Sequence, residues 1–292
     1  MIISKLIGGL GNQMFQYAIG RTLSTIHQEV FLLDISGFAD YGLHQGFQLD
    51  KIFNCIANVA NEKDIKKILG WQNKSTIRQI LLRQKMSKFR KPGFIVEPDF
   101  HYCPTVFNSP KDSYLIGYWQ SQKYFMSIEK MIRNDFHFSE PLSIQNIKLA
   151  NQISNVNAVS LHVRRGDFAN NPKTTSVHGL CSAEYYYNAI NFILSKIDNP
   201  FFFVFSDDIN WVKSNLKFNH KHILVSHNNG CDSYIDMRLM SLCKHHIVAN
   251  SSFSWWGAWL NPNKNKIVIS PKKWFANKLD ASDLIPRNWI CL

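Results

Sequence analysis

Apolar positions in the first forty residues follow the order strand, helix, strand. Residues 2–7 form a short apolar run, which is typical of a buried parallel strand. Beyond a glycine turn, apolar residues recur at helical spacing, and residues 30–34 predict a second strand. This order predicts a β-α-β unit whose glycine turn sets backbone N–H groups at a helix N-terminus, where an anion can bind.

The second half of the chain repeats this alternation. Apolar runs at 159–163, 201–205, 223–225, 247–249 and 267–269 predict strands, and helical spacing follows Ser182 and covers 234–243 and 253–260. Alternating strands and helices favour parallel sheets covered on both faces. A polar stretch at 139–157 predicts a linker between an N-terminal domain, 1–152, and a C-terminal domain, 153–292. We expect ligands in a cleft between the two, beyond the carboxyl ends of the strands.

Composition narrows the class of protein. A chain of 292 residues with 45% hydrophobic and 18% charged residues is globular and long enough for two domains. Its net charge of +12 favours an anionic partner, which leaves nucleic acid, anionic lipid and a phosphorylated substrate open. No recognisable nucleic-acid-binding motif is present, so we do not expect that partner. Six scattered cysteines predict reduced, mostly buried thiols, and no apolar run is long enough to span a membrane, so we expect a cytoplasmic protein.

Residues 62–91 are the most basic part of the sequence. This stretch contains ten lysines and arginines, and its only acidic residues are Glu62 and Asp64. The apolar residues Ile77, Ile80 and Leu81 among them predict an amphipathic helix. Two interpretations stay open. One is peripheral contact with the anionic inner face of a membrane, where each cation contributes about 1 kcal/mol. The other is a solvated helix face.

Two adjacent arginines follow the predicted strand at 159–163. A guanidinium group presents a planar fork that matches phosphate oxygens. The alternative is a structural ion pair between an arginine and Asp167. Because neighbours in an extended segment point in opposite directions, we expect Arg164 to face a ligand and Arg165 to face the protein.

Small polar residues follow other predicted strands. Gly9 and Gly11 permit close backbone approach and Asn12 offers an amide, although Met14 stands where a dinucleotide fingerprint needs its third glycine. The segment 250–252 lies between a strand and a helix, where N–H and O–H donors suit a second phosphate contact. The tryptophans that follow it are expected in the core. They are Trp255, Trp256 and Trp259.

Two carboxylates end the strand at 201–205. Asp207 and Asp208 could hold Mg²⁺, but no partner carboxylate stands at a suitable spacing, so we favour a loop cap or a nucleotide contact. The eleven histidines form no metal-binding motif. The sequence therefore predicts no metal site.

Four segments together resemble the bacterial α-1,2-fucosyltransferases of glycosyltransferase family 11: residues 8–18, 162–167, 205–208 and 250–260. The resemblance implies an α/β fold of GT-B type, with two Rossmann-like lobes and the active site in the cleft between them. It implies GDP-β-L-fucose as donor, inversion at the anomeric carbon and no metal or other cofactor. It also implies an acceptor-side domain at 1–152, a GDP-sugar-binding domain at 153–292, and O2 of a terminal galactose in a glycan such as O-antigen as acceptor.

The resemblance also implies roles for individual residues. Arg164 is similar to the arginine that grips the β-phosphate, His162 to a neighbour of the nucleoside, and Asp236 to the carboxylate that reads guanine. The pyrophosphate would meet Ser251, Ser252 and Phe253, and Asn12 would lie near the β-phosphate or the sugar. Asp167 is the first candidate for the general base and His178 the second. The remaining donor-site candidates are Gly9, Gly11, Ser206, Asp207 and Asn250.

Alternatives remain for the function. Another GDP-sugar, such as GDP-mannose, would use the same arginines, and a noncatalytic sugar-binding module is a further rival. For the acceptor, Tyr118 and Trp119 are stacking candidates, against the alternative of ordinary core aromatics.

Overall fold

The computed structural model describes residues 1–39, 45–166, 169, 171–217, 219–276 and 279–292. The chain divides into two compact units. Unit 1 contains Met1–Ser139 and Ser282–Leu284, and unit 2 contains Glu140–Ala281 and Ile285–Leu292. The division therefore falls at the start of the predicted linker rather than at 152/153. None of the helices in the described ranges is both long and apolar enough to cross a bilayer.

Unit 1 is built on a parallel sheet in the order β2-β1-β4-β3. Its strands are β1 (Ile2–Lys5), β2 (Phe31–Asp34), β3 (Phe94–Val96) and β4 (Ser113–Ile116). Its helices are α1 (Leu10–His27), α2 (Leu49–Ile52), α3 (Glu62–Leu69), α4 (Ser75–Leu81) and α5 (Glu129–Asp135). The predicted β-α-β start is confirmed, with its glycine turn leading directly into α1.

The basic stretch is several short elements and not one amphipathic helix. A capping box at Asn61 starts α3, and Gly70, at φ 59°, ends it in a backbone conformation that favours glycine. Short 3₁₀ turns at Gly70–Asn73 and Gln84–Phe89 flank α4. Leu81 is buried in the core of unit 1 with Ile77 packed against it, whereas Ile80 is exposed.

Unit 2 is built on a parallel sheet in the order β7-β6-β5-β8-β9-β10. Its strands are β5 (Asn157–Val163), β6 (Pro200–Ser206), β7 (His222–Val225), β8 (His245–Ile247), β9 (Val268–Ser270) and β10 (Ile290–Cys291). Its helices include α6 (Ile144–Ser154), α7 (Pro172–His178), α8 (Ala183–Leu194), α9 (Ile209–Asn215), α10 (Tyr234–Leu242) and α11 (Ser252–Leu260). Counted from β5, this is the doubly wound Rossmann order 3-2-1-4-5-6, with its switch point between β5 and β8.

The predicted linker is wrong over most of its length, because it contains α6. The hydroxyl of Ser143 caps this helix by accepting the N–H of Asn146 at 3.3 Å. Leu149 and Ile153 are buried in an apolar cluster with strand β6 and helix α10, and this packing makes α6 part of unit 2. The helix could not be recognised from the sequence because the polar stretch contains few apolar positions.

Two expectations about buried residues have different outcomes. Trp255, Trp256 and Trp259 are buried, as expected for core side chains. All six cysteines are free thiols, but only Cys181 and Cys243 are buried, so the expectation of mostly buried thiols is wrong.

Candidate active site

The switch point of the unit 2 sheet brings two predicted segments together. Strand β5 ends with His162 and Val163 and leads into the arginines, and β8 leads through a short loop into α11. The His162 ring contacts the Phe253 ring in the first turn of α11, with the ring centroids 5.8 Å apart. The end of β5 and the N-terminus of α11 are therefore neighbours at the edge where open α/β sheets bind their ligands.

Asp207, at the end of β6, holds the arginine loop. Its Oδ2 lies 2.8 Å from Nη1 of Arg164, and its Oδ1 accepts the backbone N–H of Arg165 at 2.8 Å. A Cβ on Gly166 would lie 2.6 Å from Oδ2 of Asp207, so glycine is required for this close approach. The Arg164 side chain is 26% exposed. A carboxylate thus orients the guanidinium fork, and part of the side chain lies at the surface.

Arg165 packs against the protein instead. Its guanidinium lies over the Trp211 ring, 4.3 Å from the centroid, and its Nε lies 3.5 Å from Oδ2 of Asp208. Asp208 caps α9 by accepting the N–H of Trp211 at 2.9 Å, and Ser206 accepts the N–H of Asp208. The loop-cap interpretation of Asp208 is therefore confirmed, and the contacts of Ser206 and Asp207 are made within the protein. Among the described residues, no group of His, Cys, Asp or Glu side chains could hold a metal ion.

A serine side chain caps the N-terminus of α11. Ser251 is the N-cap, and its hydroxyl accepts the N–H of Phe253 at 3.3 Å, while Ser252 opens the helix. The aligned peptide dipoles give this end a partial positive charge. Asn250 does not face a ligand, because its buried side-chain amide donates to the carbonyls of His178, at 2.8 Å, and Trp274, at 3.2 Å. Asn250 therefore fixes the loop that leads into α11.

His162 is a buried neutral imidazole. Burial, with Arg164 acting in the same direction, lowers its pKa to about 4 although Asp207 opposes the shift, so the ring carries no charge at pH 7. Its Nδ1 is buried and has no hydrogen-bond partner in the described part of the chain. Buried polar atoms are normally paired, so a ligand contact would satisfy this nitrogen.

Asp236 lies in the first turn of α10. Burial raises its pKa to about 7, against the opposing effect of the Asn228 amide, which donates to Oδ1 at 2.7 Å. Asn228 is itself held by Asn146 of α6 at 2.9 Å. The carboxylate is thus fixed through one oxygen, in a helix that starts at the carboxyl edge of the same sheet.

The two candidates for the general base stand differently. Asp167 lies outside the described residues. His178 ends α7, with its ring centroid 5.9 Å from that of Phe275 and its carbonyl bound by Asn250. The structure therefore brings His178 to the loop that precedes α11.

The glycine motif of unit 1 is organised around glutamine side chains. Gly9 is the N-cap of α1, and Gly11 is buried in its first turn. Gln16 joins the ends of two neighbouring strands, since its Oε1 accepts the N–H of Ile7 at 2.9 Å and its Nε2 donates to the carbonyl of Gly117 at 3.0 Å. Asn12 is half-buried, and its Oδ1 accepts from Gln120 at 2.8 Å. Gln16 and Asn12 thus form hydrogen bonds within the protein, in a motif for which the sequence predicted mainly ligand contacts.

Sequence reasoning missed Glu97, which directly follows β3. Its Oε2 accepts the N–H of Tyr118 at 2.6 Å, and its Oε1 accepts that of Trp119 at 2.8 Å. Burial raises its pKa to about 7, although these two N–H donors oppose the shift. The position carried a usable signal, because Glu97 is an acidic residue at the carboxyl end of a predictable apolar strand.

The two acceptor candidates lie in the turn that Glu97 binds, and they differ in exposure. Trp119 is buried, with φ at 54°, so it is a core residue rather than a stacking platform. Tyr118 is exposed and lies parallel to Phe100, with ring centroids 5.8 Å apart. Of the two, Tyr118 is the aromatic that a sugar can reach.

The chain was compared with known proteins. The sequence profile of Glycosyl transferase family 11 matches residues 57–292. An alpha-1,2-colitosyltransferase of Escherichia coli is 36% identical over 99% of this chain and 98% of its own length. The O-antigen biosynthesis glycosyltransferase WbnK of the same organism is 35% identical, with 99% of each chain covered. The NodZ alpha-1,6-fucosyltransferase, in a crystal soaked with GDP-fucose, superposes with a TM-score of 0.58 at 14% identity, covering 89% of this chain and 92% of that one.

These similarities agree with the class of protein that the fold and the candidate site indicate, which is a glycosyltransferase. Two Rossmann-like α/β units with an arginine loop at a strand switch point are typical of a glycosyltransferase of GT-B fold, the fold shared with the NodZ structure. More particularly, the chain belongs to glycosyltransferase family 11.

Proposed function

We propose that the chain transfers L-fucose from GDP-β-L-fucose to O2 of a terminal galactose in a glycan, with inversion and without a metal ion. The observation that carries the proposal is the junction of His162 and Phe253, where the Arg164 loop meets the N-terminus of α11. Two sources of positive charge that converge on one edge suit a diphosphate. The 1,2 linkage is supported by the name of the relative, an alpha-1,2-colitosyltransferase. GDP-fucose as donor is supported by the NodZ structure, whose crystal was soaked with GDP-fucose.

The proposed mechanism follows from the charges that develop. As the bond between sugar and phosphate breaks, negative charge grows on the β-phosphate. Arg164, oriented by Asp207, and the N–H groups of α11 stabilise that charge more in the transition state than in the ground state. A base takes the proton from the acceptor hydroxyl during attack, and Asp167 and His178 remain the candidates.

Donor selection is assigned to the half-buried Asp236 and the buried His162. In its ionised form, Asp236 would accept the ring N–H and the exocyclic amino group of guanine, which are both donors. The neutral His162 would meet the nucleoside through Nδ1, because that atom lacks a partner among the described residues. Both groups are held by the protein before the donor arrives, which reduces the entropy lost on binding.

The acceptor is assigned to unit 1 through Tyr118. Its exposed ring, stacked on Phe100, offers a flat face to the C–H face of a galactose ring. Asn12 would reach the β-phosphate or the transferred sugar from the N-terminus of α1. The assignment of Tyr118 does not depend on which donor sugar is used.

The second candidate is transfer of colitose, which is favoured by the name of the relative that is 36% identical. Colitose differs from fucose in lacking the 3-hydroxyl. A site that hydrogen-bonds this hydroxyl discriminates strongly against the deoxy sugar, whereas an apolar site does not. Competition between GDP-fucose and GDP-colitose for one acceptor separates the two functions.

The experiment that tests the proposal is turnover of GDP-fucose with lactose and related β-galactosides in EDTA, with the product linkage read by NMR. An α-1,2-fucosylated galactoside formed in EDTA is the expected result. If GDP binds and no galactoside is fucosylated, the acceptor assignment is wrong. If GDP does not bind, the donor site is wrong.

A further inference from the structure

One surface of unit 1 combines cations with exposed apolar side chains. Residues 65–96 contain no aspartate or glutamate and nine lysines and arginines. Four large apolar side chains on this segment are exposed, among them Trp71 at 59% and Phe89 at 65%. We call this the basic–apolar surface. Its apolar members are Trp71, Ile80, Leu82 and Phe89, and its exposed cations are Lys66, Lys67, Lys74, Arg83, Lys85 and Lys88.

The exposed apolar residues are not needed for the core. The same segment already buries an inner face, in which Ile68, Leu69 and Leu81 pack with Phe94 of β3. A helix face that only contacts water is polar, and single exposed apolar residues are common. Four large ones in one short segment, with cations between them, are not explained by folding.

Two side chains bring the exposed residues into one region. Gln72 donates to the carbonyl of Phe89 at 2.8 Å and accepts the N–H of Lys91 at 3.0 Å, which ties the turn that carries Trp71 to the turn that carries Phe89. Arg90 donates to the carbonyl of Leu82 at 3.3 Å. The backbone segments that carry Trp71, Leu82 and Phe89 are thus fixed side by side.

We infer that the basic–apolar surface binds the face of a bilayer that contains anionic lipid. Aromatic and aliphatic side chains enter the boundary between headgroups and acyl chains, and lysines and arginines remain at the level of the lipid phosphates. Nucleic acid fits the surface less well. Cations and aromatic rings serve a phosphate backbone and its bases, but Ile80 and Leu82 offer neither charge nor a stacking face.

The test is flotation of the full-length chain with vesicles of phosphatidylcholine alone or with about one third phosphatidylglycerol. We expect binding only to the anionic vesicles, and weaker binding as NaCl rises. The double variant Lys85→Ala/Lys88→Ala should bind roughly 20- to 30-fold more weakly, since each cation near such a surface contributes about fivefold. Trp71→Ala/Phe89→Ala should also bind more weakly, about tenfold, at every salt concentration.

Matched controls lie in unit 2. Lys264→Ala/Lys273→Ala removes the same charge from exposed positions, and Ile144→Ala removes an exposed apolar side chain. Both should bind vesicles like the parent chain, and all variants should retain its circular dichroism and GDP affinity. Equal binding of the Lys85/Lys88 double variant and the parent overturns the inference, as does equal binding to both kinds of vesicle. Salt-sensitive binding of single-stranded DNA without vesicle binding would assign the surface to nucleic acid instead.

Discussion

The two sheets use their switch points in opposite ways. In unit 1 the ends of β1 and β4 are joined by the amide of Gln16, and Asn12 and Gln120 are hydrogen-bonded to each other nearby. In unit 2 the ends of β5 and β8 leave a partly exposed guanidinium on Arg164 and an unpaired imidazole nitrogen on His162 within the described residues. The same topological position is filled with protein hydrogen bonds in one unit, and in the other it carries a partly exposed arginine and a buried histidine.

A polar motif that follows a strand can therefore serve one of two physical purposes. Buried loop ends need hydrogen-bond partners, and a glutamine supplies both a donor and an acceptor. A charged group is a poor internal tie because its burial is costly, so it stays near the surface beside a counter-charge. Amides therefore mark the structural end of unit 1, and the paired, partly exposed Arg164 marks the proposed binding end of unit 2.

The largest expected effect comes from Arg164→Ala. Removing a fixed donor from the developing charge should lower kcat about 10²- to 10³-fold, and Arg164→Lys should recover only part of it because an ammonium group has no fork. Steady-state kinetics with GDP-fucose and calorimetric GDP binding measure the loss. The thermal midpoint should change little, because the side chain is partly exposed. Turnover near that of the parent enzyme would place the catalytic charge elsewhere.

Gln16→Leu tests the other switch point. It preserves volume but leaves the N–H of Ile7 and the carbonyl of Gly117 without their partner, at about 1–3 kcal/mol each. We expect the thermal midpoint to fall by roughly 5–10 °C while GDP affinity stays unchanged. Asn12→Ala is the control, because its half-buried side chain should affect turnover more than stability. An unchanged thermal midpoint of Gln16→Leu would mean that Gln16 does not stabilise the switch point of unit 1.

Much of the architecture could be predicted from the sequence, because buried parallel strands are continuous apolar runs and the helices between them carry one apolar face. The predictions failed where the signal was weak. Helix α6 has few apolar positions in a polar stretch, and β10 has two residues. Gly70 broke the expected amphipathic helix at a place where a single sequence does not show whether φ is positive.

The candidate site was predictable at the level of segments and less so at the level of side chains. Two charged neighbours after a strand identified the Arg164 loop, but its partner Asp207 comes from a different strand and is set by sheet order. Asn250 carries the same donors as a ligand-binding amide, and only the surrounding carbonyls show that it faces inward. Glu97 was missed because the two N–H groups that it binds follow the neighbouring strand β4, 21 and 22 residues along the chain.

Two half-buried carboxyl groups, one in each unit, have pKa values that are both raised to about 7. Asp236 has one oxygen held by Asn228, and Glu97 has an N–H donor on each oxygen. If Asp236 reads guanine, GDP binding needs its ionised form. GDP affinity should then fall as pH drops below about 7, approaching tenfold per unit, and Asp236→Asn should bind weakly without this pH dependence.

Glu97→Gln should remove a pH dependence of stability and leave GDP binding unchanged. Because the pKa of Glu97 is about 7 in the folded protein and 4.5 is its ordinary value, the folded state binds more protons between these limits. The stabilisation is therefore complete below about pH 4.5 and is lost as pH rises through 7, a change of about 3 kcal/mol that the glutamine variant should lack. Thermal melts from pH 5 to 8 measure it, and calorimetry should give the variant the GDP profile of the parent chain. A changed GDP profile in Glu97→Gln, or an unchanged one in Asp236→Asn, would mean that binding and structural carboxylates do not divide between the units as their contacts indicate.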